Sequence, residues 1–218
     1  MTDTDLPHLT PVEARILGCL LEKQLLTPDV YPLTLNALQS AANQKTSREP
    51  VMALEQVDIN RTLKSLEEKG LARRMMASRA DRYEQMASRK FSLTTPQSAL
   101  LAMLLLRGPQ TLNELHTRTD RMANFGSADA VRTELDMLTS KHPPLAQEIG
   151  RGPGQREDRY GHLLTGPIDI AALAAVHAPI ATSASAPGTP AAAGMEARIA
   201  TLEEQVAKLT ARLDDLGG

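Results

Sequence analysis

Apolar positions in the first third of the chain fall at helical spacing and then give way to short extended runs. Thr10-Pro-Val-Glu13 has the form of a capping box with proline at the first helical position, and Ile16, Leu17, Leu20 and Leu21 follow as one stripe. A helix is predicted from there. The turn-rich residues 26–33 lead to a second, shorter helix capped by Thr34 and carrying Leu35 and Leu38. A polar loop, residues 43–50, precedes a third helix that places Ile59, Leu63 and Leu66 on one face, runs to Lys69 and stops at Gly70. Residues 71–77 and 82–86 then read as a hairpin around 78–81. Three helices followed by a β-hairpin is the order of a winged helix-turn-helix.

The same pieces return further along. Arg79-Ala-Asp-Arg-Tyr83 reappears 77 residues later as Arg156-Glu-Asp-Arg-Tyr160, and Thr34-Leu-Asn-Ala-Leu38 as Thr111-Leu-Asn-Glu-Leu115 at the same offset. The set Ile59, Leu63, Leu66 returns as Val131, Leu135, Leu138, with helix openings at Thr10-Pro11 and Thr95-Pro96 ahead of each copy and a third helix capped by Ser127 in the second. A fixed order of matching pieces is an internal duplication, and its unit is a small domain. The glycine-rich turn at 150–155 joins two strands and lacks the following Lys-Ser/Thr of a phosphate loop.

From 166 the composition shifts to Ala, Pro, Ser, Thr and Gly, the make-up of a linker. Beyond it Met195, Ile199, Leu202, Val206, Leu209, Leu213 and Leu216 keep an unbroken heptad register. Mostly β-branched residues at a with Leu at d favour a parallel two-stranded coil. The predicted organisation is therefore mainly α with small β-hairpins: two tandem winged helix-turn-helix domains, 1–94 and 95–165, a linker at 166–194 and a dimerising coiled-coil helix at 195–218.

Composition narrows the chemistry. Aromatic residues are 2% of the 218 with no Trp, so the cores must be aliphatic and stacking platforms for single-stranded nucleic acid are not expected. Cys19, the one cysteine, lies in an apolar helical run and reads as a small core residue. Met1 to His8 is acidic without an apolar stretch, and the run 99–106 is too short to span a bilayer, so a cytoplasmic protein without a signal peptide or membrane anchor is expected. His8, His116, His142, His162 and His177 are scattered, which argues against a metal site. No nucleophile elbow or dinucleotide fingerprint is present, Asp81 and Asp158 sit beside arginines as hairpin salt-bridge partners would, and neither an enzyme nor a cofactor is expected.

Net charge is −2, but it is uneven. Residues 1–94 hold 13 Lys+Arg against 12 Asp+Glu, 95–165 hold 8 against 8, and 166–218 hold 3 against 6. Within 71–90 Arg73, Arg74, Arg79, Arg82, Arg89 and Lys90 face only Asp81 and Glu84. If double-stranded DNA is the partner, Arg73, Arg74, Arg79 and Arg82 of the first hairpin are expected on phosphate. Asn43 and Lys45 of the polar loop and Arg61 of the third helix are expected nearer the bases, and Gln44, Arg48 and Lys64 are further candidates for contact with DNA. The second copy's third helix carries Asp129, Glu134 and Asp136 around Arg132 and is the poorer candidate.

Glu13-Ala-Arg, Leu20-Leu-Glu-Lys-Gln24, Thr27-Pro28, Tyr31-Pro-Leu33, Asn36, Asn43-Gln-Lys45 and Arg48-x-Pro-Val-Met52 closely resemble the bacterial YceH-like family, the domain of unknown function 480. The resemblance extends to about residue 166 and implies tandem winged helices, without any established activity or site. Where that family often has Cys before Asn-Gln-Lys, this chain has Ala42. The expected function is a DNA-associated regulator acting as a homodimer. The alternative is a winged-helix scaffold whose partner is another protein.

Overall fold

A computed structural model describes residues 6–77, 80–151 and 157–168. The fold is mixed α/β, with seven α-helices and two three-stranded antiparallel sheets among the described residues. The heptad positions from Met195 to Leu216, the linker beyond 168 and Arg79 lie outside them.

The first half runs α1 (Pro11–Leu26), β1 (Leu33–Thr34), α2 (Leu35–Ala42), α3 (Gln56–Glu68), β2 (Ala72–Met75) and β3 (Arg82–Gln85). The short α4 (Ala87–Lys90) then leads into the second half. There α5 (Thr95–Arg107), β4 (Gln110–Thr111), α6 (Leu112–Thr119), α7 (Ala128–Thr139), β5 (Ala146–Gly150) and β6 (Arg159–His162) repeat the order. The capping box at Thr10 is complete, with Glu13 bonding back to the Thr10 N–H at 2.7 Å. In the second copy the cap is Thr94 with Gln97, one residue ahead of the expected Thr95. Gly70 ends α3 at φ +67°, and bonds from Gly70 N to Glu67 O (2.9 Å) and Leu71 N to Leu66 O (2.8 Å) close a Schellman turn.

Each sheet is ordered first strand, third, second: β1-β3-β2 and β4-β6-β5. The strands β1 and β4 have two residues each, too few to leave a periodic signal in the sequence. They explain the repeated Arg-Tyr. Arg82 pairs across from Thr34 and Tyr83 from Leu33, as Arg159 does from Thr111 and Tyr160 from Gln110. Each motif thus clips its hairpin to the start of the second helix of its copy.

The single stripe expected on α1 understates its burial, because every residue from Glu13 to Glu22 is buried, as is every residue of α5 from Gln97 to Leu106. A helix buried all round needs partners on both sides. Each of the two faces its own copy on one side and the other copy on the opposite side, so the aliphatic residues of both halves form one continuous core. Burying a leucine there contributes about 2 kcal/mol. At Gly18 the two helices leave no room for a side chain: a Cβ would stand 2.9 Å from Leu106 Cγ and 3.0 Å from Leu105 Cβ.

Candidate functional site

The third helix of the first copy buries Ile59, Leu63 and Leu66 and leaves Asn60, Arg61, Lys64 and Glu68 exposed, as the 3.6-residue period requires. Beside it stands the β2–β3 hairpin. Arg73 pairs with Glu84 directly across the ladder, and Arg74 with Asp81 at 3.4 Å. Arg82 donates from Nη1 to the Pro32 carbonyl at 2.7 Å. The second copy repeats the pattern, with Arg151–Asp158 at 3.2 Å and Arg159 Nη1 to Pro109 O at 3.0 Å. Asp81 and Asp158 are thus hairpin ion-pair partners, as expected. Arg73 and Arg74 remain more than half exposed at 57% and 51% of their side chains, so both retain N–H groups facing water.

The polar loop departs from expectation. Arg48, expected to face a partner, is buried at 5% exposure. It donates to Glu22 through Nη1 at 3.0 Å and Nη2 at 2.6 Å, to Ala41 O through Nε at 3.0 Å, and to Ser47 O at 2.8 Å. A guanidinium so enclosed cannot reach a duplex; its bidentate pair holds the loop against α1. Asn43 is likewise committed, its amide giving 2.9 Å to Leu54 O and its carbonyl taking 2.8 Å from Leu54 N. Both ends of that side chain are used to bridge the loop's two limbs. Gln44 is half-buried and Lys45 exposed. The loop is pinned to the helices through Arg48 and through Glu49 N, which donates to Leu106 O at 2.9 Å, while residues 45–47 stay exposed.

Two internal residues escaped the sequence reading. Arg15, 1% exposed, donates to Ala42 O (3.2 Å) and Pro50 O (2.6 Å), and burial lowers its pKa. Glu22 is the carboxylate that Arg48 needs. Their signal was available, since a buried all-apolar helix interrupted by Arg15 and Glu22 must satisfy both inside the protein. Cys19 is a core residue as expected, and desolvation pushes its thiol up to about 11. Glu13 is also enclosed; burial works to raise its pKa, but hydrogen bonds from Lys69, Ser65 and the Thr10 N–H prevail and lower it. Among the described residues no group of three His, Cys, Asp or Glu side chains is placed to hold a metal, and no helix is long and apolar enough to cross a membrane.

The two repeats carry opposite charges at two pairs of equivalent positions. Arg74 lies opposite Tyr83, and Glu148 lies opposite Tyr160. On the third helices Lys64 follows Leu63 where Asp136 follows Leu135. The seam between third helix and second strand therefore carries Lys64 and Arg74 in the first copy, with Glu67 and the Arg74 partner Asp81 beside them, and Asp136 and Glu148 in the second, with Arg132 donating to the Tyr160 hydroxyl at 3.3 Å. Burial, then Glu148, raises the pKa of Tyr160. The second copy's seam opens into a groove of about 360 Å³ bordered by these two carboxylates with Pro144, Ala146, Tyr160 and Leu163.

Residues 9–155 match the family model described as "Protein of unknown function, DUF480". The chain is 61% identical to a UPF0502 protein of Mesorhizobium japonicum over 98% of its own length and 99% of the relative's. It is 50% identical to a UPF0502 protein of Stenotrophomonas maltophilia over 100% of both, and 52% identical to one from Ectopseudomonas mendocina over 88% of both. With well over half its length matched by the family model and full-length relatives at this identity, the chain belongs to the DUF480 family of uncharacterised bacterial proteins.

Proposed function

We propose that each copy is a winged helix-turn-helix and that the protein is a cytoplasmic, DNA-associated regulator which acts by binding rather than catalysis. It uses its first copy on the duplex and its segment 195–218 to dimerise. The observation that carries this reading is the inverted pair of seams, with Lys64 and Arg74 on one copy and Asp136 and Glu148 on the other. Glu67 and Asp81 balance Lys64 and Arg74 in the first seam, whereas Arg132 offsets only one of the two carboxylates in the second, so phosphate is repelled less by the first. Exposed Asn60 and Arg61 on α3 are the side chains for base edges, and Arg73, Arg74 and Arg82 on the hairpin those for phosphate. Arg48 and Asn43 have no part in it.

The test is binding of the full chain to duplex DNA across a salt series. Lys64→Ala and Arg74→Ala should each lower the slope of log affinity against log salt by roughly 0.9, Arg61→Ala should change sequence preference, and Arg132→Ala should do neither. Failure to bind any duplex at low salt would refute the reading. A specific observation favours a protein-binding scaffold in that case: Val57 on α3 is 69% exposed and Met76 beyond β2 is 87% exposed, and Arg73 and Arg74 are already paired with Glu84 and Asp81.

A further inference from the structure

The third helix of each copy is followed by a lysine at an equivalent position, Lys69 after α3 and Lys141 after α7, each three residues beyond the last buried leucine. In the first copy Lys69 donates to the His8 carbonyl at 2.9 Å and to Glu13 Oε1 at 2.6 Å, and Ser65 donates to the same carboxylate oxygen at 2.6 Å. The second copy keeps the framework of this cluster. Lys141 donates to the Ser92 carbonyl at 3.3 Å, and Ser92 stands two residues ahead of the cap Thr94 as His8 does ahead of Thr10. The carboxylate, however, has been replaced. Gln97 takes the capping-box position of Glu13 and Met137 the position of Ser65, with Gln97 Nε2 directed to Met137 Sδ at 3.6 Å and to Glu134 Oε2 at 3.0 Å. Among the described residues Lys141 has no acidic partner, although it is half-buried where its counterpart has one.

Lys141 borders a pocket of about 360 Å³, formed where the end of α4 and the residues after it meet the turn between α7 and β5. His142 and Lys90 also line it, with Lys90 held by a bond to the Lys69 carbonyl at 2.7 Å, and Phe91, Pro143 and Leu145 supply its apolar wall. No carboxylate stands among the described residues that line it. We propose that this pocket binds a small phosphorylated ligand, whose phosphate gives Lys141 the negative charge that Glu13 gives Lys69. A phosphate presents several acceptor oxygens and suits two ammonium groups and an imidazole around one cavity, while the body of the ligand rests on the apolar wall. The carboxylates of the neighbouring elements are already engaged, Glu13 by Lys69 and Ser65 and Glu134 by Gln97. None of the pocket's residues belongs to the proposed DNA face, so the site stands whether or not the chain binds a duplex.

The experiment is an NMR titration of the isotope-labelled full-length protein with phenyl phosphate, inorganic phosphate or benzoate, in chloride buffer without DNA. Phenyl phosphate should shift the amide signals of residues 90–92 and 141–145 and saturate below about 10 mM. Benzoate, with the same ring and a single charge, should bind at least about tenfold more weakly. Inorganic phosphate binding as tightly as phenyl phosphate identifies the free anion as the occupant, and weaker binding identifies an organic phosphate; either supports the site. Lys141→Met should weaken phenyl phosphate at least about tenfold, through loss of a charge-assisted bond. Combining Gln97→Glu with Glu134→Gln keeps the bond between those two side chains with its donor reversed and supplies the internal carboxylate that the first copy has. That double variant should lose binding to a similar degree while its Tm stays at or above that of wild type. The proposal is overturned by the absence of a saturable shift below about 10 mM, by shifts confined to other parts of the chain, by benzoate binding as tightly, or by binding that neither variant alters. Duplex binding weakened as much by Lys141→Met would make the pocket part of a DNA interface and overturn it too.

Discussion

Replacing Arg48 by Met separates a structural arginine from a nucleic-acid contact. The side chain is buried, and its guanidinium makes four donor contacts between 2.6 and 3.0 Å, to both oxygens of Glu22 and to the carbonyls of Ala41 and Ser47. Methionine fills much of the same volume but leaves the Glu22 carboxylate, 6% exposed, with only Lys23 at 3.2 Å. Removing one partner of a buried ion pair costs about 3–5 kcal/mol, because the stranded charge keeps its desolvation penalty. For a protein of this size that corresponds to a fall in Tm of roughly 6–20 °C. Adding Glu22→Leu removes the stranded charge and should recover most of the loss. Urea and thermal unfolding of the wild type, both single variants and the double variant measure these differences, and the coupling between the two sites should exceed about 1 kcal/mol. The reasoning is refuted if Arg48→Met leaves stability within about 0.5 kcal/mol of wild type, the range of an ordinary surface change. A folded Arg48→Met protein with a reduced salt slope for DNA would return Arg48 to the interface.

Two other substitutions and conditions test the core. Gly18→Ala in the middle of a helix ordinarily stabilises by about 1 kcal/mol, but the new methyl would stand 2.9 Å from Leu106 Cγ and 3.0 Å from Leu105 Cβ, close to the α5 backbone. Overpacking of about 1–3 kcal/mol should outweigh the propensity gain, so urea unfolding should find Gly18→Ala less stable than wild type and Gly18→Val less stable again. His162 has a buried Nδ1 without a hydrogen-bond partner among the described residues, and desolvation lowers its pKa from 6.5 to about 4. The unfolded chain therefore binds the proton first on acidification. The His162 contribution is complete above pH 6.5 and is lost as pH falls from there towards 4, to a limit of about 3 kcal/mol. His162→Gln should flatten the stability profile across that window, as followed by chemical denaturation at a series of pH values.

The element order was legible in the sequence because it rests on local physics. Thr10-x-x-Glu13 caps a helix wherever it lies, the spacing of Ile59, Leu63 and Leu66 selects one helical face, and Gly70 tolerates the positive φ that ends α3. The repeated Arg-x-Asp-Arg-Tyr showed that there are two copies of one design, and the Asp81 and Asp158 ion pairs followed from their neighbours in the chain.

Tertiary structure decided what depends on distant partners. The apolar run of α5 could be recognised as buried, but that its second face lies against α1 depends on contacts between residues more than eighty positions apart, such as Gly18 and Leu106. The polar loop looked like an exposed surface because polar residues usually are. Arg48 is buried nonetheless, since Glu22, 26 positions away, neutralises it, and local periodicity carries no information about that pairing. The same holds for the inverted seams. Lys64, Arg74, Asp136 and Glu148 are ordinary charges in the sequence, and only the strand register that sets Arg74 and Glu148 opposite equivalent tyrosines makes them counterparts. Charge acts through space, so its pattern emerges only once the fold has set those distances.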